Sequence, residues 1–490
     1  MRQILSSTPT ISSIPNPGDV RTHSLEAMLL GGVALAITFR LWTSFCFFPL
    51  AEWNSVRLGP AFMLRFGPTP YPGLDGGPLT TWIYGPVPLL INFPATFATN
   101  TISALFIAEI INLLTAIIPL AATIFILDYS PTKVSRPDRL WALLLCLALW
   151  PNTSLQYIQA DNTALAFSML GNLFLLQAHN GNRPAFLVAA LCTALAVWSK
   201  QTSLGLVLAQ LIWLGKIPGS KKAFQYGITC AVFGVGLGIA FVSFFGFDQL
   251  WLNLVRIPGR LPFTEEIWNH TRDFWMHLTG YVLLPCVALI VAGRAIWRRS
   301  SPWLLPVLTW LCLLPTALIA TYKIGGATNS LNGVLYLLPF SAVVFASELR
   351  RHSRSCLWLT LVALFILIQQ FRFAPLLPVR PVITHLVEAE QLAREFPHQI
   401  YFPWHPLVTY FSDHRFYHTE DGFYTRHVAS IDVDKITAMK DLPAQWSITA
   451  VPGWRSEGVY RQFQPADAKF GFNGKWGIYL WPRPNQNGRD

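Results

Sequence analysis

Charged side chains are scarce in this chain. Asp, Glu, Lys and Arg make up 12% of its 490 residues, whereas 52% are hydrophobic. Soluble globular domains carry roughly 25% charged residues, because their surfaces face water. The scarcity of charge therefore argues against a soluble globular protein, and it predicts an α-helical polytopic membrane protein.

Cysteine and repeated sequence are also lacking. The seven cysteines lie in or beside apolar segments and none follows Cys356, which argues against a disulfide framework or a cysteine-based zinc site. No internal repeat of fixed period is visible, which weakens the case for an inverted-repeat transporter. Residues 1–23 lack the apolar core and cleavage site of a signal peptide, so we expect a polar cytoplasmic N-terminus and a first span that stays attached.

The chain has a surplus of positive charge, formally +11. Residues 374–490 contain as many acidic as basic side chains, so the surplus belongs to the first 373 residues. In a membrane protein such a bias reflects topology, because cytoplasmic loops are enriched in Lys and Arg. The net charge therefore gives no reason to predict a nucleic-acid partner.

Apolar segments divide residues 24–373 into candidate transmembrane helices, for which about 20 residues each are needed. We predict eleven spans, good to one or two, near residues 24–48, 100–127, 139–157, 161–178, 185–200, 203–215, 225–246, 278–297, 302–321, 331–347 and 356–373. The chain is thus predicted to be a multi-pass protein of the plasma (inner) membrane.

The loops between these spans are strongly asymmetric. With a cytoplasmic N-terminus, the inner connections contain a large excess of Lys and Arg, as in Arg298-Arg299 and Arg350-Arg351. An odd number of spans places residues 374–490 on the non-cytoplasmic side. The outer loop 49–99 contains a polar part, 49–88, and an apolar stretch, 82–98, whose three prolines favour a broken interfacial helix over a span.

The tail, residues 374–490, has a different sequence pattern from the first 373 residues. Residues 382–396 are predicted to form an amphipathic helix, and residues 399–402, 446–451 and 475–481 are predicted to form strands. Gly, Pro, Asp and Asn separate these elements. The pattern predicts a small extracytoplasmic α/β domain.

Three acidic residues on the predicted outer side are candidate catalytic groups. Glu52 follows the first span, where partial desolvation could raise its pKa toward that of a general base, although a solvated loop acid is an equal alternative. Asp75 has glycines beside it that permit close approach of a ligand, or it forms a simple Asp-Gly turn. Asp161 begins the fourth span, where it either caps the helix or serves as a second acid.

Basic residues on the outer side are few, and together they favour an anionic ligand such as a phosphate at the headgroup level. Lys200 ends one span immediately before the next, and Lys323 precedes a glycine turn that contains Asn329. Taken singly, each basic residue is more simply explained as an anchor whose charged end extends to the membrane interface. The set comprises Arg57, Arg65, Lys200, Arg256, Arg260, Arg272 and Lys323.

The histidines of the tail give little support for a metal site. His414 and His418 have i,i+4 spacing, but no HExxH pattern accompanies them. The aromatic residues mixed with polar groups in the segment 405–427 fit a sugar or acceptor surface, and equally a core with polar edges. We assign no metal ligands.

Several short fragments occur in an order typical of one family: Glu52 soon after the first span, Trp82-Ile-Tyr84-Gly-Pro, Gln159-Ala-Asp161, Ser199-Lys200-Gln201 and Lys323-Ile-Gly-Gly-Ala-Thr-Asn329. In this layout the first 350 residues or so resemble the C-type (GT-C) glycosyltransferases, a polytopic class that includes protein O-mannosyltransferases and lipid A aminoarabinose transferases. Unlike the common pattern of that class, Glu52 is followed by Trp53 rather than by a second acid.

The resemblance implies transfer of a sugar from a polyprenyl-phosphate carrier to a lipid, glycan or protein acceptor on the non-cytoplasmic face. Glu52 or Asp75 then deprotonates the acceptor, and Lys200, Lys323 or a loop arginine such as Arg57 stabilises the departing phosphate. Trp82, Tyr84 and Asn329 are the further residues expected to line the substrate site. The missing acidic pair leaves open which acid is the base and whether a divalent cation takes part.

Two other functions stay open at this level. A transporter or flippase for an anionic lipid or solute needs a charged path through the bilayer, whereas here only Arg40 and Glu109 lie deep in predicted spans, at similar depth. We interpret those two as an ion pair between the first and second spans. A non-catalytic scaffold is the third possibility, and it predicts that replacing Glu52 and Asp75 together is harmless.

Overall fold

The computed structural model describes residues 17–47, 52–80, 82–129, 135–149, 155–265, 304–326, 328–331, 334, 380–431, 433, 435–452, 458–465, 467–473 and 476–480. The predicted spans at 278–297 and 356–373, and nearly all of 331–347, lie outside these residues. The described chain is mostly helical and ends in a small sheet.

Helices make up the first part of the chain. They are α1 (Pro17–Phe47), α2 (Glu52–Phe66), α3 (Val87–Asn92), α4 (Thr101–Ile126), α5 (Arg136–Leu149), α6 (Ala160–His179), α7 (Arg183–Ser199), α8 (Leu204–Lys216), α9 (Ser220–Phe245), α10 (Phe247–Trp251), α11 (Ile257–Arg260) and α12 (Leu304–Tyr322). Short 3₁₀ helices lie at Phe93–Phe97, Leu127–Tyr129, Gln201–Ser203 and Thr328–Leu331, and a π-helical turn lies at Leu252–Arg256.

Three helices of the described part are long and apolar enough to cross a membrane: Thr101–Tyr129, Ser220–Phe245 and Leu304–Tyr322. In α9 the exposed side chains are themselves apolar, as Phe224, Val232 and Ile239 show with 63–70% exposure. A surface of this kind suits lipid acyl chains and not water. The chain is therefore an integral membrane protein, as its composition predicted.

The membrane helices pack around an apolar core. Trp213 of α8 is fully buried within it, together with Leu173 of α6, Ala189 of α7, Tyr226 of α9 and Leu305 of α12. Alanine at position 189 allows the backbones of α6 and α7 to approach closely, because its side chain is small. This packing brings the ends of α6, α7 and α12 together.

The outer loop differs from its prediction. Residues 49–88 are polar overall and predict a loop, but the structure contains helix α2 at Glu52–Phe66. Gly59 and Pro60 interrupt the sequence pattern, yet Leu58, Ala61 and Phe62 share a buried face. The helix forms because that face packs against other elements, and tertiary packing of this kind overrides weak local propensity.

The apolar stretch 82–98 forms α3 and the 3₁₀ helix Phe93–Phe97. Pro86 precedes α3 and Pro94 lies in the first turn of the 3₁₀ helix, positions that proline tolerates because no helical N–H is needed there. The broken helix matches the expectation from its prolines, and its position along the membrane surface stays a prediction.

Arg40 and Glu109 each have a described partner. The guanidinium of Arg40 donates to the Leu147 carbonyl oxygen from Nε at 3.0 Å and from Nη2 at 2.8 Å. Glu109 Oε1 accepts a hydrogen bond of 3.2 Å from Ser44 Oγ. None of these contacts joins Arg40 to Glu109, so the ion pair between them stays a prediction.

The tail is an α/β unit. It contains α13 (Arg380–Glu395), β1 (Ile400–Tyr401), α14 (Pro406–Asp413), α15 (Glu420–Val428), α16 (Lys435–Lys440), β2 (Ile448–Pro452), the 3₁₀ helix Val459–Phe463, β3 (Lys469–Asn473) and β4 (Trp476–Leu480). The sheet order is β1-β2-β4-β3, with β1 parallel to β2 and the other two pairings antiparallel. The predicted helix and three predicted strands are present, and β3 is an addition.

The tail packs directly on the membrane part. Leu407 and Val408 of α14 join a buried cluster with Phe62 of α2 and Ala108 of α4. At the start of α4, Thr101 N donates to Glu390 Oε1 of α13 at 2.6 Å. A carboxylate there accepts a hydrogen bond from an N–H that has no partner within the helix. Its negative charge also interacts favourably with the positive end of the helix dipole.

Two buried histidines lie in the tail. His418 Nδ1 accepts a hydrogen bond of 2.7 Å from the backbone N–H of Leu79, which ties the outer loop to the tail. Burial lowers the pKa of His418 to about 3 and that of His405 to about 4. Both side chains are therefore neutral in the folded protein near pH 7.

Lowering the pH is expected to destabilise this tail. The folded histidines stay neutral while the unfolded chain takes up protons below pH 6.5, so stability is full above that value and is lost as the pH falls. Between about pH 7.5 and about pH 5.5 the two together cost about 3 kcal/mol of unfolding free energy. Thermal unfolding of the detergent-solubilised protein across that range measures the loss.

The control variant is His418→Asn, whose Oδ1 can accept the Leu79 N–H where Nδ1 does and which does not titrate. The variant should show about half the pH dependence. An unchanged melting temperature of the wild type between the two pH values contradicts the prediction.

Candidate functional site

Three of the predicted site residues meet at the ends of three elements. Asp161 lies in the first turn of α6, Lys200 directly follows α7, and Asn329 lies in the 3₁₀ helix Thr328–Leu331. Lys200 Nζ is 2.5 Å from Asp161 Oδ1, and Asn329 Nδ2 donates to Asp161 Oδ2 at 3.2 Å. All three side chains are buried. The carboxylate is thus held on both oxygens.

The outer loop lies against the end of α7. Gly85 N donates to the Ser199 carbonyl oxygen at 3.2 Å. A Cβ at position 85 would stand only 1.6 Å from the Trp198 carbonyl oxygen, so no other residue fits there. Gln201 Nε2 donates to the carbonyl oxygens of Ile83 at 3.1 Å and Leu254 at 3.0 Å. Lys200 is therefore fixed between two residues that each bind the loop.

Helix α2 lies against the segment that leads into Asp161. Asn54 Nδ2 donates to the Gln156 carbonyl oxygen at 2.8 Å, and Asn54 Oδ1 accepts from Ile158 N at 2.7 Å. Arg57 Nη1 donates to the Ile158 carbonyl oxygen at 2.9 Å. Glu52 is the first residue of α2, and its side chain lies outside the described part. The side chains of Asn54 and Arg57 therefore hold the start of α2 against the segment that leads into Asp161.

Trp82 and Tyr84 have different surroundings. Trp82 is 2% exposed and its Nε1 donates to the Gly85 carbonyl oxygen at 3.2 Å. The Tyr84 ring centre is 5.7 Å from Lys200 Nζ, within the range of a cation–π contact. Tyr71 OH donates to the Tyr84 carbonyl oxygen at 2.8 Å, and burial raises the pKa of that Tyr71 hydroxyl, which keeps it a donor.

Neither Lys323 nor Asp75 contacts the Asp161 carboxylate in the described part of the chain. Lys323 Nζ donates to the carbonyl oxygen of Pro258 at 2.6 Å, which ties the end of α12 to α11. Asp75 is exposed, in a loop whose neighbours Pro72 and Gly73 accept hydrogen bonds from Arg426 of the tail. Their catalytic and phosphate-binding roles stay predictions.

The space beside the Asp161–Lys200 pair is small. A cavity of about 30 Å³ lies there, lined by both residues and by the hydroxyl-bearing Ser168, Thr202 and Thr316. This volume holds about one water molecule. A phosphate group does not fit in a cavity of this size.

The described residues do not suit a metal ion. They contain no group of three or more His, Cys, Asp or Glu side chains that could hold one. The oxygens of Asp161 already have a cation and an amide as partners.

Comparison with known proteins identifies the fold. No protein-family model matches the chain, and no curated protein does. The solved structure of an oligosaccharyltransferase from Archaeoglobus fulgidus, in complex with Zn and sulfate, is similar with a TM-score of 0.51 and 12% identity, over 86% of this chain and 67% of that one. The chain has a GT-C type fold.

A second similar structure is ArnT from Cupriavidus metallidurans bound to undecaprenyl phosphate, with a TM-score of 0.49 and 10% identity over 92% of this chain and 98% of that one. The archaeal oligosaccharyltransferase structure confirms, as a fold, the GT-C resemblance seen in the sequence. At 10% and 12% identity the comparisons show the fold and not the roles of individual residues. Those roles are inferred from the geometry of this chain.

Some residues that build the site were not predicted from the sequence. Asn54 and Gly85 make contacts that fix α2 and the outer loop, and Arg426 holds the loop that carries Asp75. Their partners lie tens to hundreds of residues away, and the only local signal was the Gly-Pro dipeptide at 85–86.

Proposed function

We propose that this protein is a membrane glycosyltransferase that moves a sugar from a polyprenyl-phosphate carrier to an acceptor on the non-cytoplasmic face. The observation that carries the proposal is the buried cluster of Asp161, Lys200 and Asn329 at the ends of three helices. Burying an ammonium group costs free energy unless an anion pairs with it. Such a group stabilises a reaction most where negative charge develops in the transition state.

Lys200 is proposed to bind the phosphate of the carrier. In the free protein Asp161 is its partner, and Tyr84 lies on another side. When the donor binds, the phosphate replaces the carboxylate on the ammonium. As the bond between the sugar and the phosphate breaks, negative charge grows on the phosphate oxygens, and the fixed positive charge of Lys200 stabilises it.

An acidic residue is proposed to accept the proton of the acceptor hydroxyl. The deprotonated oxygen then attacks the anomeric carbon, the bond between that carbon and the phosphate oxygen breaks, and polyprenyl phosphate leaves. Glu52 and Asp75 are the candidate bases: α2 lies against the Asp161 segment, and the Asp75 loop lies against the tail. The acceptor itself, whether lipid, glycan or protein, is not specified by these contacts.

The proposed topology follows from the loops. The N-terminus is cytoplasmic, and the outer loop, the Lys200 cluster and the tail face the opposite side, where the carrier-linked sugar and the acceptor meet. The carrier's isoprenoid chain lies in the surrounding bilayer. A divalent cation, which the sequence left open, has no step in this scheme.

The test uses the purified protein in vesicles with a labelled sugar on polyprenyl phosphate. Glu52→Gln and Asp75→Asn are compared with Asp248→Asn, a control at an exposed acid of α10. Loss of the base should slow transfer about 10²–10⁴-fold in one of the first two and leave the control unchanged.

Two results contradict the scheme. If the wild type transfers sugar and neither Glu52→Gln nor Asp75→Asn slows it, the assignment of the base is wrong. If the wild type moves labelled carrier lipid between leaflets without glycosylating any acceptor, the protein is a flippase.

A further inference from the structure

A second cavity lies in the tail, away from the Asp161–Lys200 pair. It has a volume of about 290 Å³, close to the lower end of the range for small-molecule sites. One wall is α15 and the other is the 3₁₀ helix Val459–Phe463. Its lining includes Phe423, Arg426, His427, Val459, Gln462 and Phe463.

Arg426 is the charged group of this cavity and is 2% exposed. Its Nη2 donates to the carbonyl oxygens of Pro72 at 2.9 Å and Gly73 at 3.2 Å. Its Nη1 has no hydrogen-bond partner among the described residues. Burial lowers the pKa of Arg426 to about 10, so the guanidinium is still charged at pH 7.

A buried guanidinium is costly without an anion beside it. Within the described part of the chain, no carboxylate lies within ion-pair distance of Arg426. The polar lining residues that accompany it, His427 and Gln462, are not acidic. The cavity therefore has the charge and the hydrogen-bond donors for a negatively charged group.

The rest of the cavity lining suits a small organic ring. The rings of Phe423 and Phe463 are 4.9 Å apart and tilted by 31°, and Val459 adds an aliphatic surface. Aromatic side chains pack well against the apolar face of a ring, and Gln462 can bond to a hydroxyl group.

We propose that this cavity binds a monosaccharide-sized organic anion, whose carboxylate or phosphate pairs with Arg426 and whose ring packs against Phe463. This site is separate from the Lys200 cluster and does not depend on the proposed transfer reaction. Its occupant would bind the same guanidinium that holds Pro72 and Gly73, so binding would act on the loop that carries Asp75.

The test is calorimetric titration of the full-length protein in detergent with three probes: glucuronate, glucose 1-phosphate and glucose. The two anions separate a carboxylate from a phosphate, and glucose is the neutral control. At least one anion should bind about tenfold or more tightly than glucose, because a charge-assisted hydrogen bond is stronger than a neutral one.

Gln462 provides the matched variants, because its side chain is exposed and a charge there leaves the fold intact. Gln462→Glu should weaken anion binding several-fold and Gln462→Lys should strengthen it. Arg426→Gln should abolish it, with the melting temperature recorded to show that the tail is folded.

The proposal is overturned if neither anion binds at millimolar concentration, if glucose binds as well as the anions, or if the two Gln462 variants bind alike. None of these results bears on sugar transfer by the wild type in vesicles. Failure of this proposal and failure of the proposed function are therefore distinguishable.

Discussion

Replacing Lys200 with Met should slow sugar transfer strongly and also destabilise the protein. The ammonium is buried against Asp161, with Nζ 2.5 Å from Oδ1, so its loss leaves a buried carboxylate without a cation. Removing one partner of a buried pair costs about 3–5 kcal/mol. Transfer should fall about 10²–10³-fold, the usual loss when one electrostatic stabiliser of the transition state is removed.

The double variant Lys200→Met/Asp161→Asn separates the two effects. It has no buried charge at this position, and the amide that replaces the carboxylate can still bond to Asn329, so most of the lost stability should return. Transfer should not return, because nothing then stabilises the phosphate. Lys221→Met, at an exposed position of α9, is the control. Recovery of both stability and transfer in the double variant would contradict a phosphate role for Lys200.

Gly85→Ala should disrupt the contact between the outer loop and α7. A Cβ there would lie 1.6 Å from the Trp198 carbonyl oxygen, a backbone atom that cannot turn aside as a side chain can. The clash must displace either the loop or the end of α7, at a cost of about 3 kcal/mol. Because Lys200 follows Ser199 directly, the displacement should also reduce transfer.

The matched control for that change is Gly67→Ala in the same loop, where an added Cβ meets nothing within 4 Å. Melting temperatures and transfer rates of the two variants measure the difference. If Gly85→Ala is as stable and as active as Gly67→Ala, the loop does not hold Lys200 in the way the structure indicates.

The membrane fold was predictable because the signal is long and repeated. Segments such as 101–126 and 220–245 are almost continuously apolar, and a bilayer leaves a helix as the only way to satisfy their backbone groups. Lys200 stood out because basic residues are few on the predicted outer side, and Asp161 because it begins the fourth predicted span on that side. Their contact depends on how α6 and α7 pack, which the local sequence pattern does not predict.

Other elements were missed for physical reasons. Helix α2 contains Gly59 and Pro60, and its contacts with α3, α4 and the tail compensate for them. Strand β3 has Gly471 at its centre, and it forms because β4 supplies the hydrogen bonds. The sequence did not single out Arg426, because its burial follows from the packing of α15 against the outer loop.

The most direct test of the central claim is mass spectrometry of the lipids after reaction in vesicles. Polyprenyl phosphate should appear one-for-one with the glycosylated acceptor in the wild type and in Lys221→Met, and both products should form about 10²–10³-fold more slowly in Lys200→Met/Asp161→Asn. Glycosylation without release of polyprenyl phosphate, or equal release by the double variant, would contradict a transfer site at the Lys200 cluster.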